Sequence, residues 1–160
     1  MEGRPGRAAQ RLLLAYPAPY SAGMSSLGLL SLYGRVNALP DWSAERAFLP
    51  DGGAAPAAGS LGALESGDPG TAFDVIGLSV AHELELGPLA TLVAGLGLPP
   101  RRRDRSAEHH PLVVAGGPLA AINPLPLLAV ADVVIVGEAD AALVALLLAA
   151  ATARDRDAFR

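Results

Sequence analysis

Four short apolar runs without polar alternation punctuate the chain: Leu12–Tyr16, Val75–Val80, Leu112–Ala115 and Val133–Val136. Each has the length of a strand. A strand that is apolar on both faces is buried on both, the usual state of a parallel strand covered by helices. Between the runs the period changes. Leu29, Leu32, Tyr33 and Val36 fall at i, i+3, i+4 and i+7, as do Leu89, Leu92, Val93 and Leu96, and then Leu143, Leu146, Leu147 and Ala150. That spacing lines one face of a helix. Ser25 or Ser26 caps the first helix, and Pro40 limits its far end. Pro88 suits the first turn of the second, and Gly95 and Gly97 its close. Asp140 suits the first turn of the third, where a carboxylate meets the positive end of the helix dipole. Ala44–Leu49 is a weaker strand candidate, second in order and near one edge. The alternation predicts one α/β domain with a doubly wound parallel sheet and right-handed crossovers.

The domain is expected over residues 11–152, with a flexible arm at 1–10 and a charged tail at 153–160. Two stretches interrupt the pattern. Asp51–Ser60 carries Gly and Pro where a helix would otherwise cross, and reads as a loop. Arg101–His110 is densely charged and reads as an exposed loop before the third run.

Composition narrows the function classes. Hydrophobic residues make up 51% and charged ones 18%, which argues against a disordered chain. All twelve basic residues are Arg, and the net charge of −4 argues against a general nucleic-acid binder. Cysteine is absent, which excludes disulfides, thiolate zinc sites and cysteine-ligated clusters in this polypeptide. The first apolar run is too short for a signal-peptide core, and no run reaches the length of a membrane span. A soluble, cytoplasmic protein with no membrane partner is expected.

In an open parallel sheet, ligands bind beyond the carboxyl ends of the strands, where strand order reverses. Four segments therefore matter: Pro17–Ser26, Ala81–Leu86, Gly116–Asn123 and Gly137–Asp140. In the first, Gly23 permits close backbone approach, and Ser25 and Ser26 add hydroxyls at a helix start that can hold an anion. The same residues equally describe a capped loop, and neither a dinucleotide fingerprint nor a Walker lysine is present. Gly116-Gly117-Pro118 lets a flat ligand lie against the backbone, or marks a tight turn. Ser79 offers a hydroxyl at a strand end, and Glu138 faces the rim or favours a helix start. His82, Glu83 and Glu85 are too close in sequence to converge on a metal unaided, and read as a solvated loop top. His109 and His110 point apart on any regular element. Asp74 and Asp132 read as strand-start residues, so no catalytic triad is supported.

Taken in order, Arg11–Pro40, Ala44–Asp51, Leu64–Pro69, Phe73–Pro99 and Pro111–Asp140 form a more specific pattern. Its marks are Tyr-Pro followed by Gly-Met-Ser-x-Leu-Gly, then Phe-Asp-Val-Ile-Gly-x-Ser, Ala-Gly-Gly-Pro and Val-x-Gly-Glu. The chain resembles the N-terminal, cobalamin (B12)-binding-like domain of B12-binding-domain radical SAM proteins over about residues 11–150. The resemblance implies a Rossmann-like, flavodoxin-type three-layer sandwich. It also implies a corrin over the strand ends, near Tyr20, Gly23, Met24, Ser79, Gly116, Gly117 and Glu138. The radical SAM barrel of such proteins holds a [4Fe–4S] cluster and S-adenosylmethionine on a Cys-x3-Cys-x2-Cys motif. That motif has no counterpart here, so the chain is expected to be a truncated, split or free-standing product without a complete catalytic centre, its partner a separate radical SAM protein. Cobalamin-binding domains typically carry Asp-x-His-x-x-Gly after the first strand. The matching stretch, Pro17–Gly23, keeps the Gly but neither the Asp nor the His, so no lower histidine ligand comes from this loop. The alternatives are a vestigial docking domain for a radical SAM protein and a flavin or nucleotide binder on the same fold.

Overall fold

A computed structural model describes residues 10–152 of the chain. The expected tail at 153–160, and all of the expected arm except its last residue, lie outside the described residues. Five parallel strands form one sheet in the order β2-β1-β3-β4-β5. They are β1 (Gln10–Pro19), β2 (Trp42–Leu49), β3 (Val75–Ser79), β4 (Leu112–Gly116) and β5 (Val133–Val134). The helices are α1 (Tyr20–Gly23), α2 (Leu27–Asn37), α3 (Leu86–Gly95), α4 (Pro118–Ile122) and α5 (Ala139–Thr152).

Side-chain alternation along the strands sorts the core into two layers. Leu12 and Leu14 of β1, Val75 of β3 and Leu112 and Val114 of β4 pack under α2 and α5, through Leu29, Val36, Leu143 and Leu147. Leu13, Ile76, Leu78 and Val113 face the other way, against Leu89, Leu92 and Val93 of α3 and Leu119 of α4. Helices therefore cover both faces, and the doubly wound three-layer arrangement follows. Because α2 and α3 lie on opposite faces, the strand order reverses between β1 and β3.

Local signals explain most boundaries. The Ser26 hydroxyl accepts from the Leu29 N–H at 3.4 Å and caps α2. Beyond α3, Gly97 turns the chain with a φ of +84°. Asp74 and Asp132 anchor strand starts as expected: their carboxylates accept from Arg11 N–H at 2.9 Å and Val113 N–H at 2.8 Å.

Other expectations need correction. The last strand pairs only over Val133–Val134, and Val136 is exposed, because the chain turns away at Gly137 with a φ of +96°. Asn123–Pro126 holds two prolines, so α4 stops at Ile122 and a 3-10 turn at Leu127–Ala129 completes the crossover. The 101–110 segment is not simply an exposed loop. Arg105 is buried there, donating to the carbonyls of Pro99 at 3.0 Å and Val130, beside Asp132 at 3.5 Å.

The connection from β2 to β3 has no long helix, as the Gly- and Pro-rich stretch implied. It is held by two devices. Gly59 and Leu61 donate to the carbonyls of Ala94 and Gly95 at the end of α3, at 3.0 and 2.8 Å. Arg11, almost fully buried, meets Glu45 at 2.6 Å and Asp68 at 2.8 Å, and its guanidinium lies 4.2 Å over the Phe73 ring. Replacing Arg11 with Met keeps the apolar stem but strands two carboxylates. Since Asp68 is partly solvated, a stability loss of about 2 kcal/mol is expected on denaturant unfolding.

Candidate functional site

A hollow opens over the carboxyl ends of β3 and β4, and its cause lies in residue size. On the face beneath α2 and α5, register pairs Val75 with Leu112, Gly77 with Val114 and Ser79 with Gly116. The lower half of this face carries large side chains, and toward its upper end Gly77, Ser79 and Gly116 carry almost none. The sheet surface therefore falls away as the two helices begin. A cleft of about 650 Å³ results, within the range of small-molecule sites (~300–1,000 Å³). One wall is the first turn of α2, at Ser26, Leu27 and Gly28. The other is Gly137–Asp140, leading into α5.

Gly117 fixes the far corner. Its φ of +104° and ψ of −178° suit only glycine, and a Cβ there would stand 2.5 Å from the Val80 carbonyl oxygen. Val80 donates to Gly116 O at 2.9 Å, and Leu119 donates to Val80 O at 3.2 Å. The ends of β3 and β4 are thereby locked side by side. Gly116 is different: a Cβ there would meet Ile135 at 3.7 Å, ordinary contact, so its lack of a side chain matters for space rather than conformation.

The cleft is apolar with an acidic lip. Glu138 and Asp140 stand at the α5 side. Asp140 pairs with Arg35 of α2 at 2.8 Å and lies 3.5 Å from the Ser31 hydroxyl, a polar strap between the two helices. Both charges are well exposed, so the pair contributes little to stability and chiefly sets the spacing of the walls.

Of the residues singled out from the sequence, Ser79, Gly116, Gly117 and Glu138 meet at this cleft. Tyr20, Gly23 and Met24 do not line it. Tyr20 stacks edge-on against Phe48 of β2 with ring centroids 5.4 Å apart. Gly23 sits against the same ring, and the Met24 sulfur accepts from Arg46 Nη1 at 3.1 Å. These three dock α1 onto β2. Gly77, Gly28 and Ser31 also line the cleft; the two glycines stand in the sequence motifs but were not among the expected site residues. The signal for Gly77 is its i, i+2 relation to Ser79: two small residues on one face at a strand end.

The loop after β3 is not a solvated top throughout. Glu83 is exposed, but Glu85 is buried and accepts from the Ala81 N–H at 2.6 Å, with His82 at 3.6 Å. Burial pushes the Tyr16 hydroxyl above the ordinary tyrosine pKa of 10.0, and the Glu85 carboxylate adds to the shift. Tyr33 is raised likewise, by burial first and then by the charge of Glu65. A raised folded pKa means that the neutral phenols favour the folded state. Their contribution is full below pH 10, the unfolded value, and is lost as pH rises through the folded values. Phenolate absorbance near 295 nm is expected to show Tyr16 and Tyr33 ionising later than in the unfolded chain, with stability falling over that same range. His109 and His110 contact Ser106 within their own loop, and no metal-ligating cluster occurs among the described residues. No helix among them is long and apolar enough to cross a membrane.

The model of a family described as "Radical SAM proteins, N-terminal" matches residues 28–160. The chain belongs to this family. The match takes in Ser79, Gly116, Gly117 and Glu138, and begins after Tyr20, Gly23 and Met24. Comparison with curated proteins gave no match. In this radical SAM N-terminal domain the cleft is built from matched segments together with Leu14 of β1 and Ser26 and Leu27 at the start of α2.

Proposed function

We propose that this radical SAM N-terminal domain is a non-catalytic accessory module that seats the corrin of a cobalamin over the carboxyl ends of β3 and β4, for a radical SAM domain supplied from outside these residues. The observation that carries the reading is the hollow left by Gly77, Ser79 and Gly116. It is broad and apolar, and a flat macrocycle needs a floor without side chains.

The donor set fits the macrocycle better than its metal. Among the described residues the histidines are His82, beside Glu85, and His109 and His110, before β4, and none lines the cleft. The cleft therefore offers shape and peripheral hydrogen bonds rather than an imidazole ligand. In this reading the Ser79 hydroxyl and the Glu138 carboxylate bind amide groups at the corrin edge, and Gly116 and Gly117 give the ring its resting plane. The cobalt chemistry belongs to the cofactor, and the protein supplies position and shielding. The cluster and S-adenosylmethionine belong to the partner domain, since this chain has no cysteine to ligate iron.

The acidic lip favours a corrin over a flavin or nucleotide. A phosphate would face Glu138 and Asp140, and Arg35, the cation of this wall, is already spent on Asp140. Leu27, which lines the cleft, is exposed at 82%, and Ile122 and Val136, each next in the chain to a lining residue, at 74% and 62%. Apolar side chains placed there favour a second domain closing over the cofactor.

The test is direct. Purified protein titrated with hydroxocobalamin is expected to shift the corrin absorption bands saturably, and to leave FMN fluorescence unquenched. Quenching of FMN with an unaltered corrin spectrum would transfer the site to a flavin. If neither ligand responds, co-purification with a Cys-x3-Cys-x2-Cys protein would leave the domain as a docking unit alone.

A further inference from the structure

The sheet has a second concavity, at the opposite end from the cleft. The segment leading into β4 and the residues leading into β5 enclose a depression of about 670 Å³, lined by Arg101, Arg102, Arg103, Arg105, Leu128 and Asp132. Four of the chain's twelve arginines thus lie within five positions, on a protein whose net charge is −4.

Their pairing differs from that of the other described arginines. Arg11, Arg35 and Arg46 each meet a carboxylate at 2.6–2.8 Å. In the depression the distances are longer. Asp132 lies 3.5 Å from Arg105 and 3.7 Å from Arg102, and it also accepts from the Val113 N–H. Among the described residues Arg103 pairs with its exposed neighbour Asp104, at 3.8 Å. Arg101 has no carboxylate partner among the described residues. Arg105 and Asp132 are buried and form the base. Arg101, Arg102 and Arg103 form a rim whose charge the local carboxylates do not balance.

A concavity in which one charge sign predominates, here four arginines against Asp132, focuses potential. Guanidinium groups present planar pairs of N–H donors that match adjacent oxygens of one anion. We propose that this arginine-lined depression is a binding site for a phosphate-type oxyanion, carried by a small molecule. It stands about 17 Å from the cleft, the span of five-residue β4, and works independently of it.

The experiment is calorimetric titration of the full chain with inorganic phosphate and with pyrophosphate, sodium chloride holding ionic strength constant. Saturable one-to-one binding is expected, tighter for pyrophosphate. The double variant R101Q/R103Q changes two exposed side chains. It is expected to keep its circular dichroism spectrum and lose at least ten-fold in pyrophosphate affinity. Binding no greater than the chloride-matched blank, or unchanged in R101Q/R103Q, would overturn the proposal. So would binding of a hexaglutamate peptide where pyrophosphate fails, since that would make the surface a dock for acidic protein segments.

Discussion

Gly117→Ala is expected to lower stability by about 3–5 kcal/mol. Two costs combine. The backbone at φ +104° and ψ −178° lies in a region that residues with a Cβ essentially never occupy, worth ~1–3 kcal/mol. The new methyl would also stand 2.5 Å from Val80 O and 3.0 Å from Val80 N, backbone atoms that cannot rotate aside. Relief requires β4 to part from the end of β3, breaking the Val80–Gly116 and Leu119–Val80 hydrogen bonds. Urea unfolding followed by circular dichroism measures the loss. Gly116→Ala is the comparison, because its methyl meets Ile135 only at contact distance. It is expected to stay within about 1 kcal/mol of the unaltered protein.

Asp132→Ala is expected to cost a similar ~3–5 kcal/mol by a different route. Asp132 is buried between Arg105 and the start of β4, with Oδ2 accepting from Val113 N–H at 2.8 Å. Removing the carboxylate takes the nearby negative charge from the buried Arg105 guanidinium, and leaves an amide N–H of a central strand without its Asp132 acceptor. Both are buried groups whose desolvation is no longer offset. The double variant Arg105→Met, Asp132→Leu removes both charges together, and is expected to recover part of the loss. A double-mutant cycle from denaturant midpoints separates the coupling from the burial cost.

What was legible in the chain was what depends on short-range pattern. Continuous apolar runs marked the buried strands, and i, i+3, i+4, i+7 spacing marked α2, α3 and α5, because burial imposes those periods locally. The corrections arise where distant segments meet. Arg105 sits in a run of charges that reads as solvated, and it is Asp132 and the carbonyl of Val130, far along the chain, that meet it in the interior. Glu85 likewise is buried where its turn meets Tyr16 of β1. Tyr20, Gly23 and Met24 stood out through the resemblance to corrin-binding loops, and their contacts with Phe48 and Arg46, brought near by the pairing of β1 with β2, were not legible. At the cleft, Ser79 and Gly116 were legible from their position after apolar runs. Gly77 stood in the Phe-Asp-Val-Ile-Gly-x-Ser motif, but its part in the floor shows only when register reveals which neighbours share its face.

The central claim is that the small-residue floor above β3 and β4 receives a corrin. It is tested by comparing hydroxocobalamin titrations of the unaltered protein and Gly116→Leu, each followed through the corrin absorption bands. The leucine side chain enters the cleft from a position where its Cβ is tolerated. Saturable spectral change in the unaltered protein, abolished in a normally folded Gly116→Leu, is the expected result. Equal spectral change in both proteins, or none in either, would contradict it.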